Sequence, residues 1–346
     1  MLNVFKKISQ YIFFLGLGLF LLWYTTRSLT AEELVQLKLT LGESRFILII
    51  PGTLLMLAAN WSRAVRWKIL MEPLGYRPRT INAFLAVMLG AFFNLLVPRL
   101  GEVMKCSLLA RYEKTPVDKL IGTMVAERTI DFLCLVIIII LTILMQVDTL
   151  GEYARAELTR IFLSEGRFAW AKFFWTLIVI TTIILGVRWL LMKYAHVGIF
   201  GRINSLIKGV MQGLTSVGSI RKKKLFLMHT ILIWTVYLMC VRVGFLALAP
   251  VSHLGYKASF TILTFGSLGM IATQGGIGAY QLAVQKSLTF YGISTVNGLA
   301  YGWLLWAFQT ILVLVTGPIC LILMPLLNRK PHDAHQENNG EDIRQG

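Results

Sequence analysis

Glu127, Arg128 and Asp131 stand inside the apolar run 120–147, which is otherwise long enough to cross a bilayer. Each such charge at the centre of a membrane helix costs roughly 2.5–3.5 kcal/mol, so the cluster implies pairing or a polar path through the membrane. Glu127 and Asp131 are four residues apart and share a helix face, with Arg128 three before Asp131. At 1.5 Å per residue, Glu127 lies about 10 Å and Asp131 about 16 Å from the start of the run. Snorkelling reaches the interface from Arg128 but hardly from Asp131. A salt-bridge network stitching helices together is the structural alternative, and it is compatible with handling charged cargo.

A second constellation is Asn94-Leu-Leu-Val-Pro98-Arg99-Leu-Gly101-Glu102-Val-Met-Lys105. Pro98 has no N–H to donate and Gly101 relaxes the backbone, so a helix is expected to open here. Opened backbone at membrane depth is tolerated only where protein buries it or a watery path runs past it. Arg99 can grip a phosphate bidentately, Lys105 adds a point charge, and Glu102 can hold Arg99 or Arg128 in place. A third is Gln274-Gly275-Gly276-Ile277-Gly278, whose glycines permit a tight turn with bare N–H groups suited to an anionic headgroup. Close helix packing explains those glycines equally well. Asn60, Arg63 and Arg66 fall three residues apart near one end of a span. Headgroup anchoring is their default role, and phosphate binding the sharper one.

The elements that must position these residues are hydrophobic. The chain has 346 residues, 56% hydrophobic and only 15% charged, which a soluble domain of this size cannot bury. Net charge is 34 − 17 = +17. The basic residues sit between apolar runs, so they read as topology signals and contacts to anionic lipids, with no nucleic-acid partner. Cys106, Cys134, Cys240 and Cys320 are scattered and form neither a zinc nor a disulfide pattern. Neither a P-loop nor HExxH occurs, no acidic metal-binding pair appears, and no cofactor is expected.

Apolar runs of spanning length occur at about 8–26, 45–65, 120–147, 168–191, 225–250 and 298–327. The first is expected to be retained as a span, because no small-residue cleavage site follows it. Two further stretches, 81–98 and 258–291, are interrupted, at Pro98-Arg99 and at the glycines. Basic segments 62–80 and 99–119 flank the former, so 81–98 satisfies the positive-inside rule by dipping in and returning. The fold class expected is all-α: a polytopic helical membrane protein with six full spans and two broken or re-entrant hairpins. Its domain is expected over 1–327. Half-repeats at about 8–147 and 168–327 would start on opposite sides, as in an inverted-topology repeat. Loops 27–44 and 148–167 are expected outside and both termini inside. Segment 199–224 is expected as a cytoplasmic amphipathic helix and basic run, and 328–346 as a disordered tail. Trp23, Trp61, Trp67, Trp189 and Trp303 read as interface anchors.

NxxxPxxxGE, followed by ERxxD, with Arg63-x-x-Arg66 upstream and GGIG downstream, resembles the flippase-like domain family. That family is also described as the transmembrane region of lysylphosphatidylglycerol synthases (the UPF0104-type proteins). The resemblance covers about 8–327 and implies movement of lipids between leaflets. It supports as site residues Asn94, Pro98, Arg99, Gly101, Glu102, Glu127, Arg128, Asp131, Gly275, Gly276 and Gly278. Gln274 replaces a proline common in the family, and Gln281 stands where a glutamate often follows. No acid occurs between Glu165 and Asp333. Only about 20 residues follow the last span, too few for the synthases' transferase domain, so enzymatic activity is not expected of this chain. The expected function is binding and translocation of a phospholipid or polyprenyl-phosphate lipid in a bacterial inner membrane. Alternatives are a polyprenyl-phosphate or aminoacyl-lipid transferase subunit and an ion-coupled secondary transporter. A homo-oligomer or a partner lipid-modifying enzyme is compatible with each.

Overall fold

A computed structural model of the chain describes residues 16–25, 27, 29–97, 100–146, 163–164, 167–168, 174, 218 and 220–328. Two compact units are present, one of Met1–Met124 with Ile220–Gly346 and the other of Val125–Ser219. In chain order the described helices are α1 (Gly16–Thr25), α2 (Ala31–Gly42), α3 (Ile49–Met71), α4 (Thr80–Leu96), α5 (Leu100–Glu113) and α6 (Val117–Met145). They continue with α7 (Lys223–Ala247), α8 (Tyr256–Ala272), α9 (Ala279–Thr289) and α10 (Thr295–Leu326). Leu163–Ser164 pairs antiparallel with Arg167–Phe168. The described architecture is otherwise helical.

Four helical stretches are long and apolar enough to cross a membrane: Phe46–Leu74, Val117–Met145, Lys223–Ala247 and Thr295–Leu326. They match four of the six expected spans. The run 8–26 is described mainly from residue 16, and nearly all of 168–191 lies outside the described residues, as do positions 199–217 of the segment 199–224 expected as an amphipathic helix and basic run, and the tail from 329. Apolar side chains left outside the fold, such as Ile137, Ile140 and Ile143 on α6 or Leu314, Val315 and Ile322 on α10, form surfaces suited to lipid. The chain is a multi-pass membrane protein.

Both interrupted stretches fold as helical hairpins. Contacts join Asn94 to Gly101, Gly90 to Lys105 and Asn82 to Glu113, so α5 runs back along α4. Likewise Gly269 meets Ala279, and Thr261 bonds Tyr291 just beyond α9. The outgoing helices α4 and α8 are each 17 residues, about 25 Å of helix, short of the roughly 30 Å hydrocarbon core. Each stops at an extended residue, Val97 or Thr273, where the intrahelical ladder ends. A repeated detail is visible only here: a glycine precedes that residue by seven positions in both (97 − 90 and 273 − 266).

Small residues set the close approaches. Gly298 and Gly302, one turn apart on α10, face the backbone of α9: a Cβ on Gly302 would come within 3.1 Å of the Gln281 Cα, and one on Gly298 within 3.2 Å of the Gln285 Cα. That spacing lets two membrane helices pack backbone to backbone, where dispersion rather than the hydrophobic effect holds them. Tyr301 Oη donates to the Val241 carbonyl at 2.7 Å and stacks on Phe245, fastening α10 to α7.

The segment expected as an outer loop, 27–44, is largely helix. Thr30 Oγ1 accepts from the Glu33 N–H, and the Glu33 carboxylate accepts from the Thr30 N–H. This capping box satisfies the free donors of α2, whose Leu37 is buried. At the opposite end of α10, Asn328, the first residue of the expected tail, pairs amide to amide with Asn82 at 2.8 and 2.9 Å. Asn82, fully buried on α4, also donates to Glu113 on α5 at 2.6 Å. Asn82→Ala leaves both partners short of a bond in low dielectric and is expected to cost about 2–4 kcal/mol. Thermal unfolding of the detergent-solubilised protein checks it; an unchanged midpoint contradicts the network.

Candidate functional site

The first hairpin break is built around Asn94. Its Oδ1 accepts from the Gly101 N–H at 2.9 Å, and its Nδ2 donates to Glu102 Oε1 at 3.4 Å. The first N–H groups of a helix have no partner within it, so Asn94 caps α5 from the far side of the break. Gly101 permits this closeness, because a Cβ there would run into the Gly90 carbonyl oxygen and the Asn94 side chain. The same crossing carries Lys105 inward. Its side chain is buried, with Nζ 4.0 Å from the centroid of the Trp67 ring on α3. A cation over an indole face is stabilised most where water is excluded. Trp67 is itself fixed by a 3.0 Å bond from Nε1 to Thr123 Oγ1.

Trp67 was expected as an interface anchor; it is fully buried and underlies a site lysine instead. Trp61 and Trp23 are exposed as expected, and Arg27 lies over the Trp23 ring. Arg66, expected to anchor at headgroups, is also fully buried, 6.0 Å from the Phe226 ring of α7. Arg63 is half-buried one turn earlier. Asn60 bonds the Met56 carbonyl within its own helix. Between them, Ser62 Oγ lies 2.8 Å from His229 Nδ1 on α7, a pairing across 167 positions that no local signal marks.

The second break is a left-handed turn. Gly275, Gly276 and Gly278 have φ of 59°, 73° and 75°, where any Cβ is strained. The Gly276 N–H is engaged by the Thr273 carbonyl and the Ile277 N–H by that of Gln274, so part of the expected bare N–H set is occupied within the turn. Trp306 Nε1, on α10, donates to the Gly275 carbonyl at 2.7 Å. Gln274 Nε2 donates across to the carbonyls of Leu95 (3.3 Å) and Leu96 (3.1 Å). Carbonyls at the end of α4 thus accept from the second hairpin. The two hairpin tips meet, and they meet beside Asn94. Gly18 on α1 packs on the same turn, against Ile277 and Gly278.

On α6, Glu127 is fully buried and Asp131 half-buried, whereas Arg128 is exposed. Arg128 is turned by about 100° from Glu127 and stands three residues before Asp131, a helical neighbour position. Pro98 and Arg99 lie outside the described residues. The structure therefore joins Asn94, Gly101 and Glu102 directly, sets Lys105 beside them, and brings Gln274 and Gly275 to the same place. Gln281 is buried on α9 against α10. Trp67, Trp306 and His229 are the neighbours that sequence reasoning missed. A buried tryptophan is indistinguishable in sequence from one at an interface.

A family model described as the lysylphosphatidylglycerol synthase TM region matches residues 11–317. The UPF0104 membrane protein MJ1595 of Methanocaldococcus jannaschii is 30% identical over 86 residues, 24% of this chain. That stretch spans 26% of the relative's own length, about a quarter. No solved structure matches the chain. The family match runs through both hairpins, their meeting point and all four of the long apolar stretches, and on that coverage the chain belongs to the lysylphosphatidylglycerol synthase transmembrane-region family.

Proposed function

We propose that the chain binds a phosphate-bearing lipid and passes its headgroup between the leaflets of a bacterial inner membrane, with both termini cytoplasmic. The observation that carries this reading is the meeting of the two hairpin tips through Gln274 and the α4 carbonyls. Paired broken helices are a recurrent way to build a binding site at membrane depth. The matched lengths of α4 and α8, each in third place after two apolar segments, support an inverted repeat. At the first hairpin Arg99 and Lys105 are to receive the lipid phosphate, with Glu102 balancing their charge. On α6, Arg128, Glu127 and Asp131 are to supply charge along the membrane helix, and the acyl or prenyl tails stay in the bilayer. Anionic lipids occupy the basic cytoplasmic segments. The family takes its name from a synthase of a modified phospholipid, which favours a lipid as cargo.

The test uses purified full-length protein in liposomes and a tail-labelled fluorescent phosphatidylglycerol. Arg99→Ala is expected to slow leaflet exchange at least about tenfold, the worth of one charge-assisted hydrogen bond, with Arg99→Lys recovering part of the rate. Unchanged exchange in Arg99→Ala rejects the site. The burial of Glu127 favours a second reading, an ion-coupled transporter with Glu127 and Asp131 as the cation or proton site. Solute flux driven by a pH gradient, indifferent to lipid composition, would select that reading.

A further inference from the structure

We infer that the second hairpin carries a neutral recognition site, formed by Gln281 and Gln274, for a hydroxyl- or amide-bearing part of the lipid headgroup. This rests on the lipid-binding reading above.

Gln281 is 1% exposed, and neither its amide nitrogen nor its amide oxygen has a hydrogen-bond partner among the described residues. The Gln274 oxygen is in the same condition, its nitrogen being engaged by Leu95 and Leu96. These two glutamines bracket the Gly275–Gly278 turn. Other buried polar side chains of the hairpin are paired: Ser259 to Gly255, Thr273 to Ile277, Gln285 to Thr295 and Ser287 to Ala283. Buried polar groups are almost always satisfied, and those left over cluster where a ligand completes them.

The donor and acceptor inventory decides the ligand class. Gln281 offers two N–H donors and an acceptor, and Gln274 adds an acceptor. A phosphate accepts only and would leave both oxygens unmet. An ammonium donates only, and a quaternary ammonium does neither. A hydroxyl or amide does both. The charged side chains of this hairpin, Lys257 and Lys286, are exposed and lie away from the turn. The first hairpin, by contrast, contributes Glu102 and the buried Lys105. The division of labour is chemical, with charge recognised on one side of the meeting point and neutral hydrogen bonding on the other. The Gln281 backbone lies close against α10, since a Cβ on Gly302 would come within 3.1 Å of the Gln281 Cα.

The experiment measures binding, by native mass spectrometry of the full chain, of two dioleoyl lipids of equal charge: phosphatidylinositol, which has free hydroxyls, and phosphatidylmethanol, which has none. The wild type is expected to prefer phosphatidylinositol about tenfold, the effect of one or two net hydrogen bonds. Gln281→Leu, close in shape and free of unmet polar atoms, is expected to fold as stably as wild type and to lose that preference. Equal wild-type binding of the two lipids, or a preference that survives Gln281→Leu, overturns the inference. A wild type that prefers phosphatidylinositol but exchanges no lipid between leaflets would instead count against the translocation reading alone.

Discussion

Gly101→Val unfastens the first hairpin. At Gly101 the Cβ alone would occupy the space of the Gly90 carbonyl oxygen and the Asn94 side chain, and valine adds two branches to it. Backbone cannot rotate away as a side chain does, so α5 must slide off α4. Three things go with it: the Asn94 cap on the Gly101 N–H, the Glu102 contact, and the seat of Lys105 on Trp67. Overpacking against side chains costs about 1–3 kcal/mol, and collision with backbone lies at or above the top of that range. A loss of about 10 °C in melting temperature is the corresponding scale. Gly122→Ala is the matched control, since its Cβ meets nothing within 4 Å, and it should leave the melting curve unchanged or raise it. Gly101→Val protein that elutes as a single species and melts like wild type would show that α4 and α5 do not cross this closely.

Glu127→Ala should abolish lipid exchange, and Glu127→Gln decides why. The side chain is fully buried on a helix long enough to span the membrane. Removing a fully buried carboxylate from the groups arranged around it costs about 3–5 kcal/mol when its charge is what they compensate. Concentrated on the transport step, that range corresponds to a rate loss of more than about a hundredfold. Glutamine keeps the shape and the hydrogen-bonding reach while removing the charge. If the negative charge itself serves transport, Glu127→Gln fails as fully as Glu127→Ala. If Glu127 serves only as a polar strut, the glutamine variant exchanges lipid near the wild-type rate. Exchange at wild-type rate in both variants, measured as protection of a labelled lipid from an impermeant quencher, would remove Glu127 from the site.

Much of the helical plan was legible because bilayer thickness is a length ruler. Four runs near or above 20 apolar residues mark four long helices, and Pro98 and the glycines mark the two interruptions. The T-x-x-E signature at Thr30 and Glu33 was also legible, yet the acidic composition of 27–44 drew it toward a loop. Local signal there outweighs composition, because a capping box satisfies specific donors whatever the net charge.

Side-chain burial was legible in kind but not in partner. Arg66 and Trp67 are neighbours in sequence, and nothing local distinguishes a guanidinium at the headgroups from one buried near Phe226. The same holds for Gln274, which reads as an ordinary turn residue until Leu95 and Leu96 are placed beside it.

By itself, the sequence determined that this is a helical membrane protein with charged residues inside a run long enough to span a bilayer and with two broken helices. Those features are local: hydrophobic run length, a missing N–H, a glycine's conformational range. Only the tertiary structure decided that the two breaks meet, that Asn94 caps α5, and that Lys105 rests on Trp67. Such pairings join residues tens to hundreds of positions apart. They depend on how closely helix backbones approach, and that distance is fixed by packing rather than by any residue read alone.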